Sequence, residues 1–200
     1  MLKKAFFLCL IFIFLFSFLG ACHRDPKSDL EQWQLAYLDF LEIEKENHLA
    51  YALVYVDDDD IPELYMKGDC EATGDSICSY KNGTIIEENL IRVYGGMYIE
   101  KSGQLINRNG NMGVCHTHAY MLTDEGFNLT FTALEISRVE HLENDEMEFS
   151  YEFFVEDVPV DESEYNAAIS VAFDLEKSKP LYENDVEYDE IVKQITCFNT

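Results

Sequence analysis

Hydrophobic and polar positions change period along this chain. Ala5 to Leu19 is a nearly unbroken apolar run of about 15 residues, short of the ~20 that a membrane-spanning helix needs. Ser28-Asp29-Leu30-Glu31 has capping-box spacing, and Leu30, Trp33, Tyr37, Phe40 and Leu41 follow at intervals of three and four. That spacing predicts an amphipathic helix over 29–46, with the only Trp packed in its core-facing stripe. From Tyr51 the period is two, and strands are predicted at 51–56, 63–67, 77–81, 84–88, 91–100, 104–108, 113–122, 127–138 and 146–156. Asn82-Gly83 and Asn109-Gly110 read as hairpin turns, as do Ser102-Gly103 and Asp124-Glu125-Gly126 more weakly. The most regular strand sets Met147, Phe149, Tyr151, Phe153 and Val155 on a core face. After Pro159, Asp161 and Glu164 can cap a helix bearing Tyr165, Ala168, Ile169, Ala172 and Phe173, which Lys179-Pro180 breaks. A last helix over 186–196 carries Tyr188, Ile191, Val192 and Ile195. The expected fold is α+β: an antiparallel β-meander flanked by an N-terminal helix and two C-terminal helices.

The apolar leader adds an address to this picture. Lys3 and Lys4 precede the run, and Leu19-Gly20-Ala21-Cys22 ends it. Small residues before a cysteine at this place resemble the lipobox of bacterial lipoproteins. The resemblance implies cleavage before Cys22, lipidation of its sulfur and a protein held on the extracytoplasmic face of the cell membrane by its acyl chains. Residues 1–21 then form the signal peptide, 22–27 the lipidated cysteine and a short tether, and 28–200 a single extracytoplasmic domain.

Composition sharpens the reading. With 48% apolar and 26% charged residues the chain is rich enough in core formers to pack. Its formal net charge of −25 becomes −27 once the leader removes two lysines. Such a chain is repelled by phosphate backbones, which excludes nucleic acid as a partner, and by anionic lipid, which favours a domain standing off the bilayer. Beyond Cys9 and Cys22, the even remainder Cys70, Cys78, Cys115 and Cys197 suggests two disulfides outside the cytoplasm, Cys70 with Cys78 across a short loop and Cys115 with Cys197. The alternative is a zinc site of Cys115, His116 and His118.

One motif looks like more than scaffold. Tyr51-Ala-Leu-Val-Tyr-Val-Asp-Asp-Asp-Asp-Ile-Pro-Glu-Leu64 sets four consecutive carboxylates between two apolar strands. Adjacent like charges repel, and such oxygen ligands suit Ca²⁺ better than a transition metal. The stretch resembles the D-x-[DN]-x-D-G-I-P-E-L calcium-loop phrases of extracytoplasmic bacterial proteins. More closely, with Trp33, Cys70-Glu71-Ala72, Tyr80-Lys81-Asn82-Gly83 and Ser163-Glu164-Tyr165, it resembles a group of uncharacterised lipoproteins of Gram-positive gut bacteria that share a Y-A-L-x-Y-[IV]-D-D-D-D-I-P-E-L core. Aligned on Ile-Pro-Glu-Leu, the calcium resemblance implies Asp57, Asp59 and Glu63 as ligands. Tyr55 stands at the first ligand position and Asp60 where the turn glycine belongs, so the pattern is incomplete. The other reading is a solvated acidic turn.

Other candidate chemistry is thin. On a strand through Cys115-His116-Thr117-His118, Cys115 and Thr117 face one way and His116 and His118 the other, so the histidines could be half of a metal site while a Cys–His nucleophile pair is not formed. The chain has no P-loop, G-x-S-x-G, H-E-x-x-H or dinucleotide fingerprint. Three functions remain. The first and favoured one is a non-enzymatic acidic module that binds a basic protein or peptide. The second is a calcium-dependent domain using the Asp57–Glu63 loop, and the third a hydrolase directed at wall or host glycans.

Overall fold

The computed structural model describes residues 30–70, 72–90, 95–141 and 147–198. The leader, Cys22 and its tether, and the Ser28-Asp29 start of the expected cap lie outside the described residues. Helix α1 (Gln32–Glu44) is followed by ten strands: β1 (His48–Val54), β2 (Glu63–Gly68), β3 (Asp75–Lys81), β4 (Thr84–Leu90), β5 (Gly96–Tyr98), β6 (Gln104–Asn111), β7 (Val114–Thr123), β8 (Gly126–His141), β9 (Met147–Val155) and β10 (Val158–Val160). Helix α2 (Glu162–Ala172), a two-residue strand β11 (Lys179–Pro180) and helix α3 (Tyr188–Thr196) complete the described chain. The fold is therefore the expected α+β arrangement of one N-terminal and two C-terminal helices around antiparallel strands. Among the described residues no helix is long and apolar enough to cross a membrane.

The meander divides into two sheets, one of four strands in the order β1-β2-β3-β4 and one of seven in the order β10-β9-β8-β7-β6-β5-β11. Alternation along the strands gives each sheet two apolar faces, and these build the layers. Ala52, Val54, Tyr65 and Ile77 of the first sheet, with Val56 just beyond β1, meet Tyr98, Leu105, Tyr120 and Leu122 of the second. On the outer face of the first sheet, Leu64, Met66 and Cys78 lie under Trp33, Tyr37 and Leu41 of α1 and Ile191 and Ile195 of α3. On the outer face of the second, Ala133 packs beneath Tyr165 and Ile169 of α2. The capping box expected at α2 is complete, with Asp161 Oδ1 accepting from Glu164 N at 2.8 Å and Glu164 Oε2 accepting from Asp161 N at 3.2 Å.

Turns decide where register departs from expectation. Asn82 (φ 52°) and Gly83 (φ 85°) form the hairpin turn their sequence predicts. Asn109-Gly110 does not turn; it continues β6, and the reversal comes at Met112 (φ 53°) and Gly113 (φ 82°). The later turn wins because it pairs Leu105 with Tyr120 on one face and Ile106 with Ala119 on the other, apolar against apolar. A turn at Asn109-Gly110 would have set Leu105 against Val114 and Ile106 against Gly113, losing both of these matches. The β9–β10 turn was not foreseen: Glu156 (φ 49°) and Asp157 (φ 64°) both take the left-handed conformation without a glycine. Thr132 holds it, donating N–H to Glu156 Oε1 at 2.8 Å and accepting from Glu156 N at 3.1 Å.

The expected cysteine pairings are not formed in the structure, where Cys70, Cys78 and Cys115 are thiols. Cys78 is buried beneath the helix layer, and that burial pushes its thiol pKa far up, whereas Cys70 sits exposed in the β2–β3 turn with Sγ 3.2 Å from Thr73 Oγ1. Cys115 shares the outer face of the seven-stranded sheet with Thr117, while Cys197 caps α3 on the far side of the four-stranded sheet. Both sheets stand between them.

Candidate functional site

The acidic loop links β1 to β2 and is wound by its own side chains. Asp57 Oδ1 accepts from Asp59 N at 3.3 Å and Asp59 Oδ1 from Ile61 N at 2.8 Å, so two Asx-turns replace the glycine that the calcium pattern has and this sequence lacks. Pro62 then sends the chain into β2, and Tyr37 OH on α1 donates to Pro62 O at 3.0 Å. On the other side, Ser102 and Gly103 of the β5–β6 turn donate N–H groups to Val56 O at 2.9 and 2.8 Å.

This winding brings three carboxylates together. Ligand oxygens of Asp57, Asp59 and Glu63 all lie within 4.8 Å of one another, which is the triad the calcium resemblance implies. Glu63 is 1% exposed, accepting from Val56 N at 2.8 Å and from Ser79 Oγ at 3.0 Å. Burial pushes its pKa up to about 8, with the charge of Asp57 adding to the effect and the hydrogen bonds and Lys81 working against it.

The cation of this cluster is a lysine. Lys81, the last residue of β3 and 6% exposed, donates through Nζ to Asp57 Oδ2 and, at 2.6 Å, to Asp59 Oδ2. Although burial opposes its charge, the two hydrogen-bonded aspartates hold its pKa above the ordinary lysine value. Sequence reasoning missed Lys81 as a site residue. Its signal was positional: Asp75, Ile77, Ser79 and Lys81 alternate on the inward face of β3, so the lysine before the Asn82-Gly83 turn had to point at whatever the neighbouring strands placed there. Asp57 and Asp58 also line an open depression of about 440 Å³ shared with Lys101, Ser102, Thr123 and Asp124.

The histidines lie elsewhere, on the inward face of β7. Their rings are 6.0 Å apart, His116 exposed and His118 half-buried, and burial followed by the charge of His116 lowers the pKa of His118. Register sets Asn109 and Leu134 beside His116, and Asn107 and Thr132 beside His118. None of these four is a carboxylate or thiolate. Asn107 Nδ2 is buried there without a hydrogen-bond partner. Cys115 lies on the opposite face of β7, so it does not join the histidines as the zinc alternative requires. Among the described residues, Asp57, Asp59 and Glu63 are the one group of three with metal-ligating atoms in reach of each other. Compared with known proteins, the chain matches no family model, no curated protein and no solved structure.

Proposed function

We propose that this chain is a lipid-anchored, extracytoplasmic, non-enzymatic module that binds a basic protein or peptide through its acidic surface. The observation that carries the reading is the distribution of charge. From Val139 to Glu176 the sequence has thirteen Asp and Glu and not one Lys or Arg, and the described part of this stretch forms the end of β8, the largely exposed strand β9, β10 and all of α2. In the β1–β2 loop Lys81, itself buried, pairs with Asp57 and Asp59; the cations that flank the later segment pair only between exposed side chains, Arg138 with Glu152 and Lys177 with Asp174. The leader and the Leu19-Gly20-Ala21-Cys22 box support the address.

The test is association with a basic protein such as lysozyme at low salt and at about 0.15 M, where the Debye length falls to ~8 Å. The reading predicts a Kd that weakens at least about tenfold across that range. Undetectable binding, or a Kd indifferent to salt, overturns it.

A second reading, calcium dependence, is favoured by the convergence of Asp57, Asp59 and Glu63. It requires Lys81 Nζ to leave the two aspartates. A melting temperature that rises in millimolar calcium relative to chelator would support it, and an unchanged one counts against it.

A further inference from the structure

The β8–β9 hairpin outruns the sheet that carries it. β7 begins at Val114, opposite Ile136, and β10 covers only Phe153, Phe154 and Val155 of β9. Beyond these points, among the described residues, Arg138–His141 and Met147–Glu152 pair only with each other. The direction of the peptide groups follows from the turn at the other end. Glu156 donates its N–H to Thr132 O of β8, and Val155 pairs with Val158 across the two-residue turn. Even-numbered residues of β9 therefore aim their backbone groups at β8 and odd-numbered ones at the β10 side. Past Phe153, Met147, Phe149 and Tyr151 turn their N–H and C=O groups to an open edge.

The same three residues carry the exposed apolar side chains. Met147 is 60% exposed, Phe149 58% and Tyr151 54%, and Val139, paired with Phe149, is 48% exposed on the same face. Tyr151 stacks on Phe153 at 6.3 Å and 11°, so the stripe runs on into the core beneath α2. Edge strands are ordinarily blunted by lysine, proline or a covering element. Here Pro159 in β10 blunts only the covered part.

We infer that the open edge of β9 accepts an extended cationic peptide segment as an added strand, its apolar side chains lying along Met147, Phe149 and Tyr151 and its basic ones along Glu148 and Glu152. This deepens the binding-module reading and rests on it. Strand addition supplies affinity through main-chain hydrogen bonds and specificity through alternate side chains. Charge selects the occupant: the segment from Val139 to Glu176 has thirteen acids and no Lys or Arg, and Arg138 just before it is already paired with Glu152 at 3.1 Å, so a second copy would set carboxylates largely against carboxylates.

The experiment uses the full-length protein in detergent and a short peptide alternating lysine and valine. The expected result is saturable binding that slows amide exchange at Phe149 and Tyr151 by about tenfold or more, and that weakens by about tenfold when the peptide is N-methylated on alternate residues. Phe149→Pro, which removes an outward N–H where an edge strand tolerates proline, should abolish binding with the melting temperature nearly unchanged. Should that variant not fold, the double charge reversal Glu148→Lys, Glu152→Lys leaves the backbone intact and must weaken binding by about tenfold at low salt. Equal affinity for the N-methylated peptide overturns strand addition and leaves the acidic module standing, whereas no binding of any basic probe overturns both. Protection of Phe149 and Tyr151 by self-association without peptide would make the occupant a second copy and overturn the inference.

Discussion

The β1–β2 loop and the β8–β9 ribbon are both acid-rich, and the fold treats them in opposite ways. In the loop, Asp57 and Asp59 hold a lysine ammonium, and Glu63 is buried on Val56 N and Ser79 Oγ. In the ribbon, Glu148 and Glu152 stand on one exposed face and unburied Met147, Phe149 and Tyr151 on the other, and among the described residues the one ion pair is Arg138 to Glu152 at 3.1 Å, between exposed side chains. Runs of aspartate draw the eye, yet in the denser cluster two of the four aspartates already hold an internal lysine. The sparser acids of the ribbon stand instead on an exposed strand.

That contrast is broken most severely by removing the internal cation. Lys81→Met leaves three converged carboxylates without their ammonium and should cost roughly 2–4 kcal/mol in urea unfolding, discounted from a fully buried pair because Asp59 is partly solvated. Millimolar calcium should restore part of the loss in the variant and leave the wild-type melting temperature where it was. A loss under about 0.5 kcal/mol would show that the loop does not depend on Lys81.

Titration of Glu63 comes next. Its pKa in the folded state is about 8, while an unfolded glutamate titrates near ~4.3. Between those values the folded state binds more protons, so the stability this group contributes is full below the lower value and is lost as pH rises through the upper one. Thermal melts should therefore fall from pH 5 to pH 8 with a contribution on the order of 1 kcal/mol per pH unit. Glu63→Gln, a neutral isostere, should flatten that slope. An identical slope in the variant places the titration elsewhere.

A smaller effect is expected where the loop leans on α1. Tyr37 OH donates to Pro62 O at 3.0 Å and to Cys78 O at 3.2 Å. Tyr37→Phe keeps the packing and removes the one proton that these two buried carbonyls share, for a loss of about 1–2 kcal/mol by chemical denaturation. The smallest effect belongs to the ribbon. Phe149→Ser removes an aromatic side chain that is already 58% exposed and should change stability by less than about 0.5–1 kcal/mol, even though it removes the middle of the apolar stripe. A loss comparable to that of a core phenylalanine would mean the face is covered in solution.

Much of the fold was legible because the physics that sets it is local. Period-two alternation from Tyr51 onward and the Asn82-Gly83 turn specify strands and hairpins within a few residues of themselves, as the Asp161/Glu164 box does for α2. What was not legible depended on pairing across distance. Asn109-Gly110 has the chemistry of a turn, but the match of Leu105 with Tyr120 and Ile106 with Ala119 overrode it. Met147, Phe149 and Tyr151 alternate as a core strand does, yet the covering element reaches no farther than Phe153. In the candidate site, Asp57, Asp59 and Glu63 could be named from spacing alone. Lys81 could not, because it arrives from β3, 22 residues beyond Asp59, and only the sheet register shows that its side chain meets the loop.

The contrast between the two regions is tested most directly by native-state amide hydrogen exchange on the protein without added ligand. Val56 N–H, bonded to buried Glu63, should exchange near the rate of global unfolding. Along the ribbon the rates should alternate, with Phe149 and Tyr151 fast and Ser150 and Glu152, which face β8, slower. Fast exchange at Val56, or protection of Phe149 and Tyr151 equal to that of their even-numbered neighbours, would contradict the account.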